Sequence, residues 1–284
     1  MTRPHNIPKS PLEPPRFKRI ALVTWGFFRM GMRATISYPM GVVLFQASIL
    51  VTVVTIAFLS KLIQPSASIG PSYLGFAATG FAGSQVVLGP LLGLGQELDA
   101  TIQQGRMEML LIEPISWKLI PIALGAWPAI YRLSNVISIF LLVTLLGVSF
   151  QGSHLPLVIL LVILGSIAGI GLGSCAGSLR VLSKKSDPIS TVYVIVSGLI
   201  SGQTFPITLL PTPLRDLAWL FPSTYVISGL RSGLIPQSTS VYGPDLNEST
   251  FALSVICVLL VPTGMILFRR SLEVGRSYGL LAGY

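Results

Sequence analysis

Six stretches of this chain are long, apolar and nearly free of charge, and they limit its fold more than any other feature. They cover residues 38–60, 73–96, 123–150, 155–179, 188–210 and 251–268. A helix needs about 20 mostly apolar residues to cross the roughly 30 Å hydrocarbon core of a bilayer. The first stretch holds twelve Val, Ile, Leu or Phe residues and no charged one. At about −0.3 to −0.6 kcal/mol each, those side chains favour insertion by roughly 5 kcal/mol at most. Composition agrees: 51% of the 284 residues are hydrophobic and 10% are charged, against about 25% charged in soluble domains. Too little charge remains to coat a water-facing surface. That argues against a soluble enzyme, a disordered chain and a disulfide-rich secreted domain.

The net charge is +9, from 19 Lys and Arg against 10 Asp and Glu. In so apolar a chain the basic excess reports topology, because positive residues collect in cytoplasmic loops. With both ends cytoplasmic, all basic residues except Lys61, Arg215 and Arg231 fall on the inner side. The reverse topology inverts that ratio. Residues 1–19 carry five basic residues and five prolines ahead of any apolar run, which is not the order of a signal peptide. With no transit peptide either, a bacterial plasma (inner) membrane is the expected location.

The spacing predicts an all-α integral membrane protein: a flexible cytoplasmic tail over 1–15, an interfacial helix over 16–35 and one six-helix transmembrane domain over 36–284. In the interfacial helix, Lys18, Arg29 and Arg33 fall within about 60° of each other at helical spacing, while Ile20, Val23, Phe27 and Ala34 take the opposite side. Such a helix suits the membrane surface, whether it only anchors the chain or does more.

Two further segments are not expected to span. The second loop and its flank, 97–118, contain Glu97, Asp99, Glu108 and Glu113. An apolar set, Met107, Leu110 and Leu111, sits at helical spacing ahead of Pro114, which ends or kinks a helix. It reads as a short amphipathic helix, lying on the bilayer or docking a cytoplasmic partner. Residues 204–235 are apolar but broken by Pro206, Pro211, Pro213 and Pro222, with Arg215 and Asp216 in their midst. Broken backbone at membrane depth has to pack against protein or line a wet cavity. Two short helices that enter the bilayer part way from the outer side and return satisfy this; a plain outer loop is the alternative.

No chemical engine is visible. Glu97, Asp187 and Arg132 are read as lying at or near span ends, so a mid-membrane relay of the kind proton-driven carriers use is not evident. The chain has no G-x-x-x-x-G-K-[ST] phosphate loop and no convincing nucleophile–base pair. Cys175, Cys257, His5 and His154 show no metal or redox spacing. Neither a catalytic site nor a cofactor or metal site is expected here. A passive pore, a scaffold, or a transporter driven by a separate ATPase remain.

Two regions resemble the membrane subunit of ABC exporters of the second permease class, the ABC-2 type. The first is 99–114, with Gly105-Arg106-Met107-Glu108 followed by Leu110-Leu111-Ile112-Glu113-Pro114. Arg-Met-Glu after the Gly departs modestly from the family's usual Thr-Leu-Glu. The second runs from Ser197-Gly198 through Phe205-Pro206, Leu210-Pro211 and Leu220-Phe221-Pro222 to Arg231. The resemblance implies an ATP-driven exporter permease. Its interfacial helix would also touch the ATPase, and 97–114 would hold the coupling helix. Gly105, Arg106, Met107, Glu108, Leu110 and Leu111 would dock on a separate ABC ATPase subunit, which carries ATP and Mg. Phe205, Pro206, Leu210, Pro211, Pro222 and Arg231 would form an outer gate region. A second permease, the same or related chain, would pair through the first and fifth spans. The cargo would be amphipathic or lipid-like, such as a drug, an antibiotic or a lipid-linked glycan.

Two rival readings differ in class. A membrane scaffold or assembly factor would bind partners and move nothing. A secondary carrier would need an ionisable group in a wet cavity, for which Arg132 with Asn135 is the one candidate.

Overall fold

The computed structural model describes residues 16–63, 72–106, 119–183, 187–235 and 243–277. Among them the only regular elements are helices. They are α1 (Arg16–Ser37), α2 (Pro39–Leu62), α3 (Tyr73–Gln103), α4 (Leu119–Leu145), α5 (Leu155–Ser183), α6 (Pro188–Ile200), a 3-10 turn (Ile207–Leu209), α7 (Thr212–Ala218), α8 (Pro222–Leu234) and α9 (Leu246–Ser277). Five of them (α2, α3, α4, α5 and α9) are long and apolar enough to cross a membrane. Such helices fit lipid because each satisfies its own backbone groups.

Helix α3 is the axis. Twenty of its 31 residues are buried, whereas α2 buries only Ile49 and Val53. Glycines explain how so many neighbours approach α3. Gly165, Gly169, Gly173 and Gly177 recur every fourth residue and so line one face of α5. That face meets Val86, Val87 with Pro90, Leu91 and Leu94 of α3 in turn. On the α4 side, Gly89 faces the stem of Arg132 and Gly93 faces Pro128. Gly83 faces Ile227 of α8. On the other face of α5, Gly171 and Gly264 let α9 cross closely. In lipid this dispersion packing drives helix association, since apolar side chains gain little by leaving apolar solvent. Hydroxyls turn inward in the same economy: Ser166 donates to the Val162 carbonyl and Ser174 to the Ile170 carbonyl, at 2.9 and 2.8 Å.

The bundle has two ends. At one, Leu94, Leu98, Ile120, Leu124, Val181 and Phe268 pack together, with Phe27 of α1 against them; this is the Gly105 end. At the other, Val158, Leu234 and Leu246 belong to the main core, and Gln151 N–H donates to the Leu234 carbonyl at 2.8 Å; this is the Arg231 end.

The fifth predicted span, 188–210, needs correction. Helix α6 stops at Ile200, and Gly202 takes φ +81°. Thirteen residues reach about 20 Å, short of the hydrocarbon thickness. Beyond it Ser201, Gly202, Gln203 and Thr204 are uncharged but not helical, so the absence of charge hides the break. Tyr193 of α6 bonds Ser223 at the start of α8, while Gln203 just past α6 meets Arg231 near the end of α8. The two helices therefore run side by side in the same direction, and residues 204–221 carry the chain back between them.

A second correction concerns Arg132. It lies thirteen residues from Leu119 and thirteen from Leu145, at the middle of α4 rather than near a span end. The second, third and last apolar stretches also extend as helix to Gln103, back to Leu119 and out to Leu246–Ser277.

A Cβ at Gly169 would lie 2.5 Å from the Val87 carbonyl oxygen, whereas one at Gly41 meets nothing within 4 Å. Gly169→Ala is expected to cost about 1–3 kcal/mol by overpacking and to lower the unfolding midpoint in detergent. Gly41→Ala is expected to leave that midpoint in place. Equal midpoints for the two variants would contradict the α3–α5 packing described here.

Candidate functional site

At the Gly105 end, α3 ends because Gly105 adopts φ +67°, a left-handed cap that favours glycine. The Gln104 N–H donates to the Ala100 carbonyl at 3.1 Å, and the Gly105 N–H to the Ile102 carbonyl at 3.0 Å. Nothing lies within 4 Å of a Cβ placed on Gly105, so backbone conformation alone calls for the glycine. The turn presents Arg106 to α1, where its Nη1 donates to Met30 Sδ at 2.6 Å. Its charge also acts on Glu97. Met107, Glu108, Leu110 and Leu111 lie outside the described residues, as do 1–15.

Helix α1 is held to the bundle by aromatic contacts. Trp127 of α4 donates its ring N–H to Thr35 Oγ1 at 3.0 Å. Its ring meets Phe28 edge-on, 5.1 Å between centroids. Gly31 leaves room for it. Phe27 packs inward, but Ala34 is exposed, so the apolar face expected over 20–34 is only partly the packed one.

A clamp missed by sequence reasoning sits beside this turn. Arg180, near the end of α5, bonds Asp99 of α3 at 2.5 Å and Asp187 at 2.8 Å. Asp187 also caps α6, accepting from the Ser190 N–H at 3.0 Å. One guanidinium fork thus joins the ends of α3 and α5 to the start of α6, a planar geometry suited to two carboxylates. Arg180 rests against Gly95, where a Cβ would lie 3.0 Å from its Cζ. A separation of 81 residues between Arg180 and Asp99 hides the pair from local pattern.

At the Arg231 end, Arg231 is 1% exposed. Its Nη2 and Nε donate to the Phe76 carbonyl at 3.0 and 3.3 Å, and Nη2 also reaches the Gln203 carbonyl at 3.3 Å. The guanidinium carbon stacks 3.5 Å from the Phe76 ring centroid. Gly80 and Gly202 leave room for this group. Arg231 therefore ties α8 to α3 and to the chain leaving α6. The predicted gate residues divide around it. Pro206 and Pro222 are buried, Phe205 and Leu210 half-buried, and Pro211 exposed. Leu210 packs on Ile200, Ile207 and Ala218. Pro222 opens α8, where its missing N–H costs no helical bond. Thr224 Oγ1 donates to the Ala218 carbonyl at 2.6 Å and fixes the α7–α8 corner. Beneath that corner lies an apolar cavity of about 480 Å³, lined by Tyr193, Phe221, Pro222, Leu172, Leu259 and Thr263, among others.

Arg231→Met keeps the apolar stem and removes the donors to the Phe76 and Gln203 carbonyls. It is expected to destabilise the protein by about 2–5 kcal/mol and to expose 201–221 to protease. Arg231→Lys, which cannot fork, should fall between. Unchanged proteolysis in Arg231→Met would contradict the anchoring role.

A family model described as ABC-2 family transporter protein matches residues 89–279. That span takes in both the Gly105 turn and Arg231. No curated protein matches the sequence. Members of this family are the membrane component of a transporter and are not themselves catalytic. The family match, joined to five helices able to cross a bilayer, makes this chain a multi-pass membrane protein belonging to the ABC-2 transporter family.

Proposed function

We propose that the chain is the permease subunit of an ATP-driven ABC exporter, forming half of a path for an amphipathic or lipid-like cargo. The match over 89–279 carries this reading, because ABC-2 permeases normally pair with an ABC ATPase. ATP and Mg²⁺ would act on that separate ATPase. It would dock on the cytoplasmic Gly105 end, on residues 105–111, with α1 beside it.

The geometry supports a route for the work. A push on the Gly105 turn reaches α1 through Arg106 and Met30. It reaches α5 and the start of α6 through Asp99, Arg180 and Asp187. Helix α6 leads to Gln203, Arg231 and α8. We place both termini in the cytoplasm and count six crossings, the fifth being α6 completed by the non-helical residues that follow. In this reading α7 and α8 re-enter from outside, with the cavity at their base facing the cargo. Helices α2 and α6 expose Val43, Leu50 and Val51, and Val192, Ile195 and Leu199. These faces would meet a second permease, the same or related chain. A bacterial inner membrane fits the design.

The scaffold reading makes a different prediction and is separable by transport. The proton-carrier reading is disfavoured, because Arg132 is the mid-helix ionisable group of α4 and a guanidinium does not release its proton in proteins.

Purified with its companion ATPase in proteoliposomes, the wild-type complex is expected to hydrolyse ATP at a rate that depends on the permease. Leu110→Asp and Leu111→Asp are expected to abolish co-purification while leaving the permease folded. Retained assembly in both variants would contradict docking at this turn. Assembly without any ATP-dependent movement of amphiphile would favour the scaffold.

A further inference from the structure

Halfway along α4, hydrogen-bond donors outnumber their acceptors. Arg132 Nη1 donates to Gln85 Oε1 at 3.3 Å, and its Cζ sits 4.6 Å from the Phe45 ring centroid. A guanidinium has five N–H groups, and among the described residues Arg132 forms no ion pair. One helical turn further, on the same face, Asn135 is fully buried. Its Oδ1 accepts from Gln46 Nε2 at 3.3 Å, while its Nδ2 is buried and donates to no described residue. In this arrangement, with Gln46 Nε2 donating to Oδ1, the Asn135 Nδ2 is a spare buried donor on the Arg132 face.

Three helices build this cluster. Gln46 and Phe45 come from α2, Gln85 from α3, and Arg132 and Asn135 from α4. Gly89 of α3 leaves space for the Arg132 stem. The cluster carries one positive charge and several unspent N–H groups midway along a helix long and apolar enough to cross a bilayer. Such a site prefers a group that is negative and accepts hydrogen bonds, and a guanidinium matches carboxylate and phosphate in a forked geometry. Helix α2, which supplies one wall, packs Phe45 and Ile56 against the core and leaves Leu44 and Val54 exposed, an apolar surface for the tail of a ligand.

We propose that Arg132 and Asn135, supported by Gln46 and Gln85, bind the anionic head group of an amphiphile, a carboxylate or a phosphate. The binding claim stands on the cluster alone. Only the assignment of that amphiphile as cargo rests on the exporter reading above, and it then gives the cargo a negative charge.

The test uses the intact permease–ATPase complex in phosphatidylcholine nanodiscs, without ATP. Binding of dansyl-undecanoic acid is compared with binding of its methyl ester. The acid is expected to bind at least about tenfold more tightly, the size of one charge-assisted hydrogen bond. Arg132→Gln should erase the difference, Arg132→Lys should keep part of it, and Asn135→Leu should weaken the acid while sparing the ester. Equal binding of acid and ester to the wild type would overturn the proposal, with no variant needed. So would a preference that survives in Arg132→Gln. Displacement of the acid by added phosphatidylglycerol would support the site and assign it to a resident lipid. Resistance to that lipid would support it and assign it to cargo. Permease–ATPase assembly, followed in the same samples, reports separately on the exporter reading.

Discussion

Backbone atoms that sit in hydrocarbon have no water to fall back on, and every feature of this bundle follows from that constraint. Helices close their own hydrogen bonds, so what distinguishes one arrangement from another is how closely they can approach. Here closeness is set by glycine. The ladder Gly165, Gly169, Gly173 and Gly177 lets α5 seat directly on α3, and Gly171 with Gly264 does the same for α9 on α5. Helix α3 becomes a buried axis, and arginines meet it at Phe76, Gln85 and Asp99. Its partners are fixed by shape, and shape of this kind is intolerant of a methyl group.

Where the chain leaves helical geometry, arginines take over the work that glycine does elsewhere. Arg231 supplies donors to carbonyls at the point where α6 gives way to irregular backbone. Arg180 gathers the carboxylates at the opposite end. Each is cushioned by a glycine, Gly80 and Gly202 for one and Gly95 for the other. The bundle between them is closely packed, and in the exporter reading proposed above that packing would carry displacement from one end to the other. That is the property an ABC-2 membrane component requires if its work arrives from outside the chain.

Much of this was legible in the sequence because apolar run length is a physical ruler. The first, second, fourth and last stretches are readable as helices for that reason, and the prolines at 206, 211, 213 and 222 mark a broken segment, where they stand at the starts of short helices. Other features were not. The end of α6 at Ile200 is hidden because residues 201–210 carry no charge while Gly202 turns the chain. Arg132 was read as near a span end because α4 begins at Leu119, inside what composition suggested was loop. The bonds of Arg231 to Phe76 and of Arg180 to Asp99 span 155 and 81 residues. No local pattern announces a partner that far away. The glycines were visible, but their sorting into faces needed the neighbouring helices to be in place.

The account turns on the Gly105 end and the Arg231 end lying on opposite sides of the membrane, with the ATPase at the former. The most direct measurement places single cysteines at Gln104 and at Leu209, in a background with Cys175 and Cys257 replaced by serine, in sealed vesicles containing the assembled complex. Cysteine at 104 should cross-link to the ATPase subunit, and cysteine at 209 should react only with an impermeant reagent on the other side. Cross-linking of the ATPase through position 209, or labelling of both positions from the same side, would contradict the account.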